Sequence, residues 1–147
     1  MRSLLFVPGD RPERFAKALA SGADAVICDL EDAVTAVTRP QARLNVADLL
    51  RTTGRSIPLW VRINPVQTDD ALPDLAAVAA ARPDGIVLPK ARSGADLHRL
   101  DHWLEALEVQ HGLAYGSIKV LALITETANA VLSGSSFTTP PARVIGY

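Results

Sequence analysis

Five short apolar runs recur along this chain at nearly regular intervals: Leu4-Leu5-Phe6-Val7, Ala25-Val26-Ile27-Cys28, Leu59-Trp60-Val61, Ile86-Val87-Leu88 and Leu121-Ala122-Leu123-Ile124. None alternates with polar residues, so each must be buried on both faces, as strands of a parallel sheet are. Between them lie stretches with helical periodicity. Phe15, Ala18, Leu19 and Gly22 form one stripe; Ala42, Val46, Leu49 and Leu50 a second; Leu72, Leu75, Ala76 and Ala79 a third; Leu97, Leu100, Leu104 and Leu107 a fourth, closed by Gly112. Strands alternating with amphipathic helices require a parallel sheet covered by helices, either doubly wound or closed as a (β/α)8 barrel. With Ala142 to Gly146 as a further strand, the count is six.

Local signals place the helix starts. Asp10-Arg11-Pro12-Glu13 offers an N-cap carboxylate, a proline in the first turn and a glutamate three residues on, and Thr38-Arg39-Pro40-Gln41 repeats the pattern. The central strands are expected over Ile57 to Ile63 and Ile118 to Ile124. No Gly-x-Gly-x-x-Gly or Walker pattern follows any run, which argues against a nucleotide-binding doubly wound sheet. The barrel gains from this, because polar residues arrive at the ends of several strands rather than at one switch point. A full barrel takes roughly 250 residues and eight strands. The expectation for residues 1–147 is therefore a single domain comprising about six βα units, the N-terminal part of such a barrel.

Composition narrows the partners. The chain is 48% hydrophobic and 21% charged, and 15 basic against 16 acidic residues leave a net charge of -1. No broad field favours nucleic acid or an anionic membrane, so a small molecule is the expected partner. The single cysteine, Cys28, lies in an apolar run and reads as a buried, inert thiol. The opening segment is too short in apolar residues for a signal peptide, and no run approaches membrane-spanning length, which gives a cytoplasmic expectation.

The chemistry collects after the strands. Asp29-Leu30-Glu31-Asp32 follows the second run, Arg62-Ile63-Asn64-Pro65 the third, Pro89-Lys90 the fourth and Thr125-Glu126-Thr127 the fifth. Glu126 with Asp29, Glu31 and Asp32 would supply hard oxygen ligands of the kind Mg2+ takes alongside water and substrate. The structural alternatives are a carboxylate facing a helix N-terminus for Glu126 and a salt-bridged or capping cluster for the other three. Arg62 could clamp a carboxylate or a developing enolate oxygen, or could pair with Glu31 or Asp32. Lys90 could form a Schiff base, but acidic neighbours favour an ion pair. Arg14 and Lys17, near the start of the first helix, could meet a phosphate-bearing substrate or be solvated surface charge. His98 and His102, four residues apart on a helix, lie opposite the leucine stripe and read as solvated. No Gly-x-Ser-x-Gly elbow supports serine hydrolase chemistry.

Five ordered motifs carry a resemblance: Arg2-Ser3-Leu4-Leu5-Phe6-Val7-Pro8-Gly9-Asp10, Asp24 to Val34, Val61-Arg62-Ile63-Asn64, Val87-Leu88-Pro89-Lys90 and Ile124-Thr125-Glu126-Thr127-Ala128. Together they resemble the citrate lyase β-subunit group of the HpcH/HpaI aldolase superfamily. The resemblance implies a (β/α)8 TIM barrel of the phosphoenolpyruvate/pyruvate type and a Mg2+-dependent carbon–carbon lyase. The implied substrate is a hydroxy-acyl thioester, such as citryl-CoA or malyl-CoA, cleaved to an acetyl thioester and a 2-keto acid, with coenzyme A or an acyl-carrier protein as the thiol. It further implies that Glu126 is a Mg2+ ligand and touches substrate, that Arg62 binds substrate oxygens, and that Asp29, Glu31 and Asp32 support Arg62 and the metal's waters. Lys90 has an electrostatic role in that scheme, and a homo-oligomer, trimer or hexamer, is implied. In the family, a strand beginning like Arg143-Val144-Ile145-Gly146-Tyr147 runs on into a Gly-x-Glu-Asp-Leu-like motif whose aspartate is a second metal ligand, and that motif is not in these 147 residues. Two further readings stay open: a class II pyruvate aldolase that needs no thioester, and a non-catalytic scaffold that docks a carrier protein.

Overall fold

The computed structural model describes residues 1–54 and 56–147. Its strands are β1 (Leu4–Pro8), β2 (Ala25–Asp29), β3 (Leu59–Arg62), β4 (Gly85–Leu88), β5 (Lys119–Ala122) and β6 (Val144–Gly146). They form one parallel sheet in sequential order, each strand beside the next. The α-helices are α1 (Phe15–Leu19), α2 (Arg39–Thr52), α3 (Ala71–Val78), α4 (Gly94–Gln110) and α5 (Ala128–Leu132). β1, β2 and β3 run one residue past their apolar runs, onto Pro8, Asp29 and Arg62, whereas β3 and β5 are shorter than the spans Ile57 to Ile63 and Ile118 to Ile124 expected for them, because hydrogen bonding stops where the chain turns to deliver its polar residues.

Pleating divides the sheet residues into two sets. Val7, Val26, Cys28, Leu59, Val61, Ile86, Leu88, Val120 and Ala122 face the helices and pack with Phe15, Val46, Leu75, Val78, Leu97, Leu100 and Leu104. Ala25, Ile27, Trp60 and Val87 form a smaller cluster on the opposite face, joined by Leu121 and Leu123. Helices thus cover one face, and a second apolar layer lines the other. Burial pushes the Cys28 thiol up to about 12, as expected of an inert interior cysteine. Among the described residues, no helix is long and apolar enough to cross a membrane.

Three local expectations change. Asp10 does not cap the first helix; its Oδ2 accepts a hydrogen bond from the Thr38 hydroxyl at 2.9 Å, and α1 is only five residues long after a 3-10 turn over Pro12–Arg14. Thr38 consequently offers no side-chain cap to α2. On α3 the buried face carries Ala71, Asp74, Leu75 and Val78, while Leu72 is exposed. The rotation follows from Asp74, whose carboxylate accepts from Arg43 Nε at 2.7 Å and from the Asn64 backbone and side-chain nitrogens at 2.8 Å each. Fully satisfied, a carboxylate can occupy a core position that an apolar residue would otherwise hold.

Candidate functional site

The C-terminal ends of β2 to β5 carry the cluster. Register sets Asp29, the last residue of β2, directly beside Arg62, the last of β3. Asp29 is 1% exposed and accepts four hydrogen bonds. Two come from the backbone N–H groups of Glu31 and Ala33, each at 3.0 Å, and fold the chain into a turn. The other two come from Arg62 Nε and Nη2, each at 2.7 Å, a bidentate charge-assisted pair. The Arg62 guanidinium carbon also lies 4.7 Å from the centroid of the Phe6 ring. Asp29 holds the Arg62 pKa above its ordinary value despite burial.

Gly9 makes this closeness possible. A Cβ there would lie 2.9 Å from the Asp29 carbonyl oxygen, which already accepts from Gly9 N–H at 2.8 Å. Only glycine lets the turn after β1 approach the end of β2 this way.

Lys90 joins the remaining acids. Its ammonium donates to Glu31 Oε1 and, at 2.9 Å, to Asp32 Oδ1. Its backbone N–H donates to Glu126 Oε2 at 2.8 Å. The residue has φ +50°, a left-handed conformation uncommon outside glycine. Burial pushes the Glu31 carboxyl up against the pull of Lys90, whereas the hydrogen bond from Lys90 holds Asp32 below the usual carboxylate range. The two acids in turn raise the Lys90 pKa. Glu31 Oε2 is buried 3.4 Å from Arg62 Nε and has no hydrogen-bond partner among the described residues. Glu126 itself is exposed, in the bend between β5 and α5, where Thr127 rather than Glu126 caps the helix by accepting from Ala130 N–H at 3.1 Å.

Asp29, Glu31, Asp32, Arg62, Lys90 and Glu126 therefore form one linked chain of polar contacts. Arg14 and Lys17 stand outside it, lining a separate groove beside β1 with Leu5, Phe6 and Ser21. His98 and His102 are exposed on α4. Arg62 forms the expected ion pair with Glu31, at 3.4 Å, but its bidentate partner is Asp29, and Asp32 pairs with Lys90 instead. The sequence reading missed the Phe6 stack and the role of Asn64, which donates to the Leu30 carbonyl at 2.9 Å and to Asp74, and so fixes the turn after β3. The Leu-Leu-Phe-Val run carried no signal for the stack, since it depends on which face of β1 meets Arg62.

The donor chemistry suits a hard cation in one respect. Glu126 is an exposed carboxylate at a strand end, the kind of ligand that holds Mg2+ together with waters. Asp29, Glu31 and Asp32 are committed to cations of the protein, and among the described residues no three His, Cys, Asp or Glu side chains gather to hold a metal ion. Glu126 is thus the ligand that these residues offer.

Comparison with known proteins agrees with the fold. Citrate lyase subunit beta of Haemophilus influenzae is 34% identical over 146 residues, covering 99% of this chain and 50% of its own length. The L-malyl-CoA/beta-methylmalyl-CoA lyase of Cereibacter sphaeroides is 40% identical over 117 residues, covering 76% of this chain and 36% of its own. The crystal structure of CitE from Mycobacterium tuberculosis with magnesium and pyruvate matches with a TM-score of 0.76 at 36% identity, over 97% of this chain and 51% of that one. The chain spans about half the length of the citrate lyase subunit and of that solved structure. With the model of the HpcH/HpaI aldolase/citrate lyase family matching residues 2–137, this chain belongs to that family.

Proposed function

We propose that this chain supplies six βα units of a (β/α)8 barrel and the substrate arginine and first metal ligand of a Mg2+-dependent carbon–carbon lyase acting on a hydroxy-acyl thioester. The observation that carries the reading is the pairing at the strand ends: Arg62 clamped by Asp29, beside Glu126 held by the Lys90 backbone. Citryl-CoA and malyl-CoA are the substrates of choice, since the relatives include a citrate lyase subunit and a malyl-CoA lyase. Exposed Leu4, Leu5 and Phe6 on β1 and Ile145 on β6 support the barrel, being the apolar edges that further strands would cover.

In this reading Glu126 would hold Mg2+, which would supply a Lewis-acid charge against the oxygens of the 2-keto acid. Asp29 spends both oxygens on Arg62 Nε and Nη2, leaving Nη1 without a hydrogen-bond partner among the described residues. That N–H is the donor for a substrate oxygen. In the cleavage the hydroxyl O–H and the adjacent carbon–carbon bond break as the keto acid's C=O forms; the carbon–carbon electron pair passes to the thioester enolate, and one proton, equal to that released by the hydroxyl, completes the new C–H of the acetyl thioester. A rigid cation beside the reacting oxygens stabilises the charge that develops, and costs no reorganisation at that moment. Lysine cannot replace the bidentate fork.

The test is cleavage of citryl-CoA and malyl-CoA by the protein purified from its native gene. Acetyl-CoA and the keto acid should appear with Mg2+, vanish on chelation, return on adding Mg2+ and fall roughly a hundredfold in Arg62→Lys. Full activity in excess chelator would overturn the proposal.

A further inference from the structure

We propose that Lys90 is a positioning residue whose left-handed backbone, more than its charge, aims the Glu126 carboxylate. Two features meet at this position. The Lys90 N–H donates to Glu126 Oε2 at 2.8 Å at the β5 exit, and the φ of +50° sets the path by which the chain leaves that amide. The ammonium meanwhile reaches the opposite way, to Glu31 and Asp32 on the β2 exit loop. An L-residue with a side chain is disfavoured in this conformation by roughly tenfold, and here the two carboxylates anchor it. The neighbouring N–H of Ala91 bonds to the Leu123 carbonyl at 3.3 Å, so the β4 and β5 exits are already sewn together on either side of the turn. Lys90 thus has separable parts: an ammonium that keeps the turn in place, and a main-chain donor that fixes the first metal ligand. Through Glu31, 3.4 Å from Arg62, it also connects the two halves of the cluster.

The inference rests on the Mg2+ reading only for its metal readout. Glycine adopts the left-handed conformation freely and alanine does not, yet both delete the ammonium. An electrostatic role predicts that Lys90→Gly and Lys90→Ala behave alike. Positioning predicts that they diverge. Binding of Mn2+ alone, followed by the electron spin resonance of the free ion, should be about tenfold weaker in K90A than in K90G, with K90N on the glycine side because asparagine tolerates left-handed backbone. Circular dichroism of each variant confirms that it is folded. Affinities of K90A and K90G within twofold of each other would overturn the proposal. Should the unsubstituted protein take up no Mn2+, the metal reading fails by itself, and hydrogen exchange of the Lys90 amide decides. Exchange accelerated at least tenfold in Glu126→Ala supports the clamp, and unchanged exchange refutes it.

Discussion

Replacing Asp29 by asparagine is an isosteric change with a cost that follows from its four bonds. Oδ1 accepts from Glu31 N–H and Arg62 Nε, and Oδ2 from Ala33 N–H and Arg62 Nη2. Whichever way the amide is turned, its NH2 meets one backbone N–H and one guanidinium N–H, donor against donor. Two bonds to the carboxylate are lost, one from a backbone N–H and one from the guanidinium, each about 1.5 kcal/mol, and the buried cation loses its counter-charge. Breaking a buried ion pair by removing one partner costs about 3–5 kcal/mol. Arg62 retains Glu31 at 3.4 Å and is 14% exposed, which favours the lower end, about 3 kcal/mol. With a urea m-value of about 2 kcal/mol/M, the midpoint should fall by about 1.5 M at unchanged m. In a double-mutant cycle with Arg62→Met, the coupling should exceed about 2 kcal/mol. A midpoint shift under about 0.5 M, or additive single effects, would refute the view that Asp29 holds Arg62 in place.

Two other predictions concern the scaffold. At Gly85 an added Cβ would meet Trp60 Cζ3 at 2.1 Å, against a ring packed in the apolar layer of the sheet; Gly85→Ala should therefore lower stability by about 1–3 kcal/mol in urea melts, and Trp60→Leu in the same chain should recover part of it. Glu108 is fully buried; burial pushes its carboxyl up, but Arg143 with the Ile118 and Gly116 N–H groups prevails and holds it below the ordinary value of 4.5. Its stabilisation is thus present above the unfolded pKa and is lost as pH falls through the lower folded value. Melting followed from pH 7 downward should show a shallower acid limb in Glu108→Gln than in the unsubstituted protein, from a lower starting stability, and parallel limbs would contradict this.

The central strands were legible because β2, β3 and β4 are buried on both faces, and a continuous apolar run has few other uses in a chain of this composition; β1 and β6, at the sheet edges, are apolar yet largely exposed, against the expectation of burial. Helix faces were less so wherever an acid sits in the core. On α3, apolar spacing alone pointed to Leu72, while Asp74 occupies the buried face through bonds to Arg43 and Asn64. On α4, Asp101 and Glu108 share the buried side with Leu97, Leu100 and Leu104, since both bond to the buried Arg143 just before β6. Nothing local in the sequence marks a carboxylate whose counter-charge lies more than thirty residues away. The same limit applied at the site. Residue types at the strand ends disclosed which side chains gather there, but the partner of Arg62 depends on the β2–β3 register, and the hold on Glu126 is a main-chain hydrogen bond from Lys90, which no residue type announces.

Locating the metal tests the central claim most directly. In crystals of the protein grown with Mn2+ and pyruvate, an anomalous difference peak should lie about 2.0–2.2 Å from a Glu126 carboxylate oxygen, with pyruvate beside it facing Arg62, and the peak should vanish in Glu126→Gln. A metal bound away from Glu126, or one that persists in the glutamine variant, would contradict the assignment of these strand ends as a lyase site.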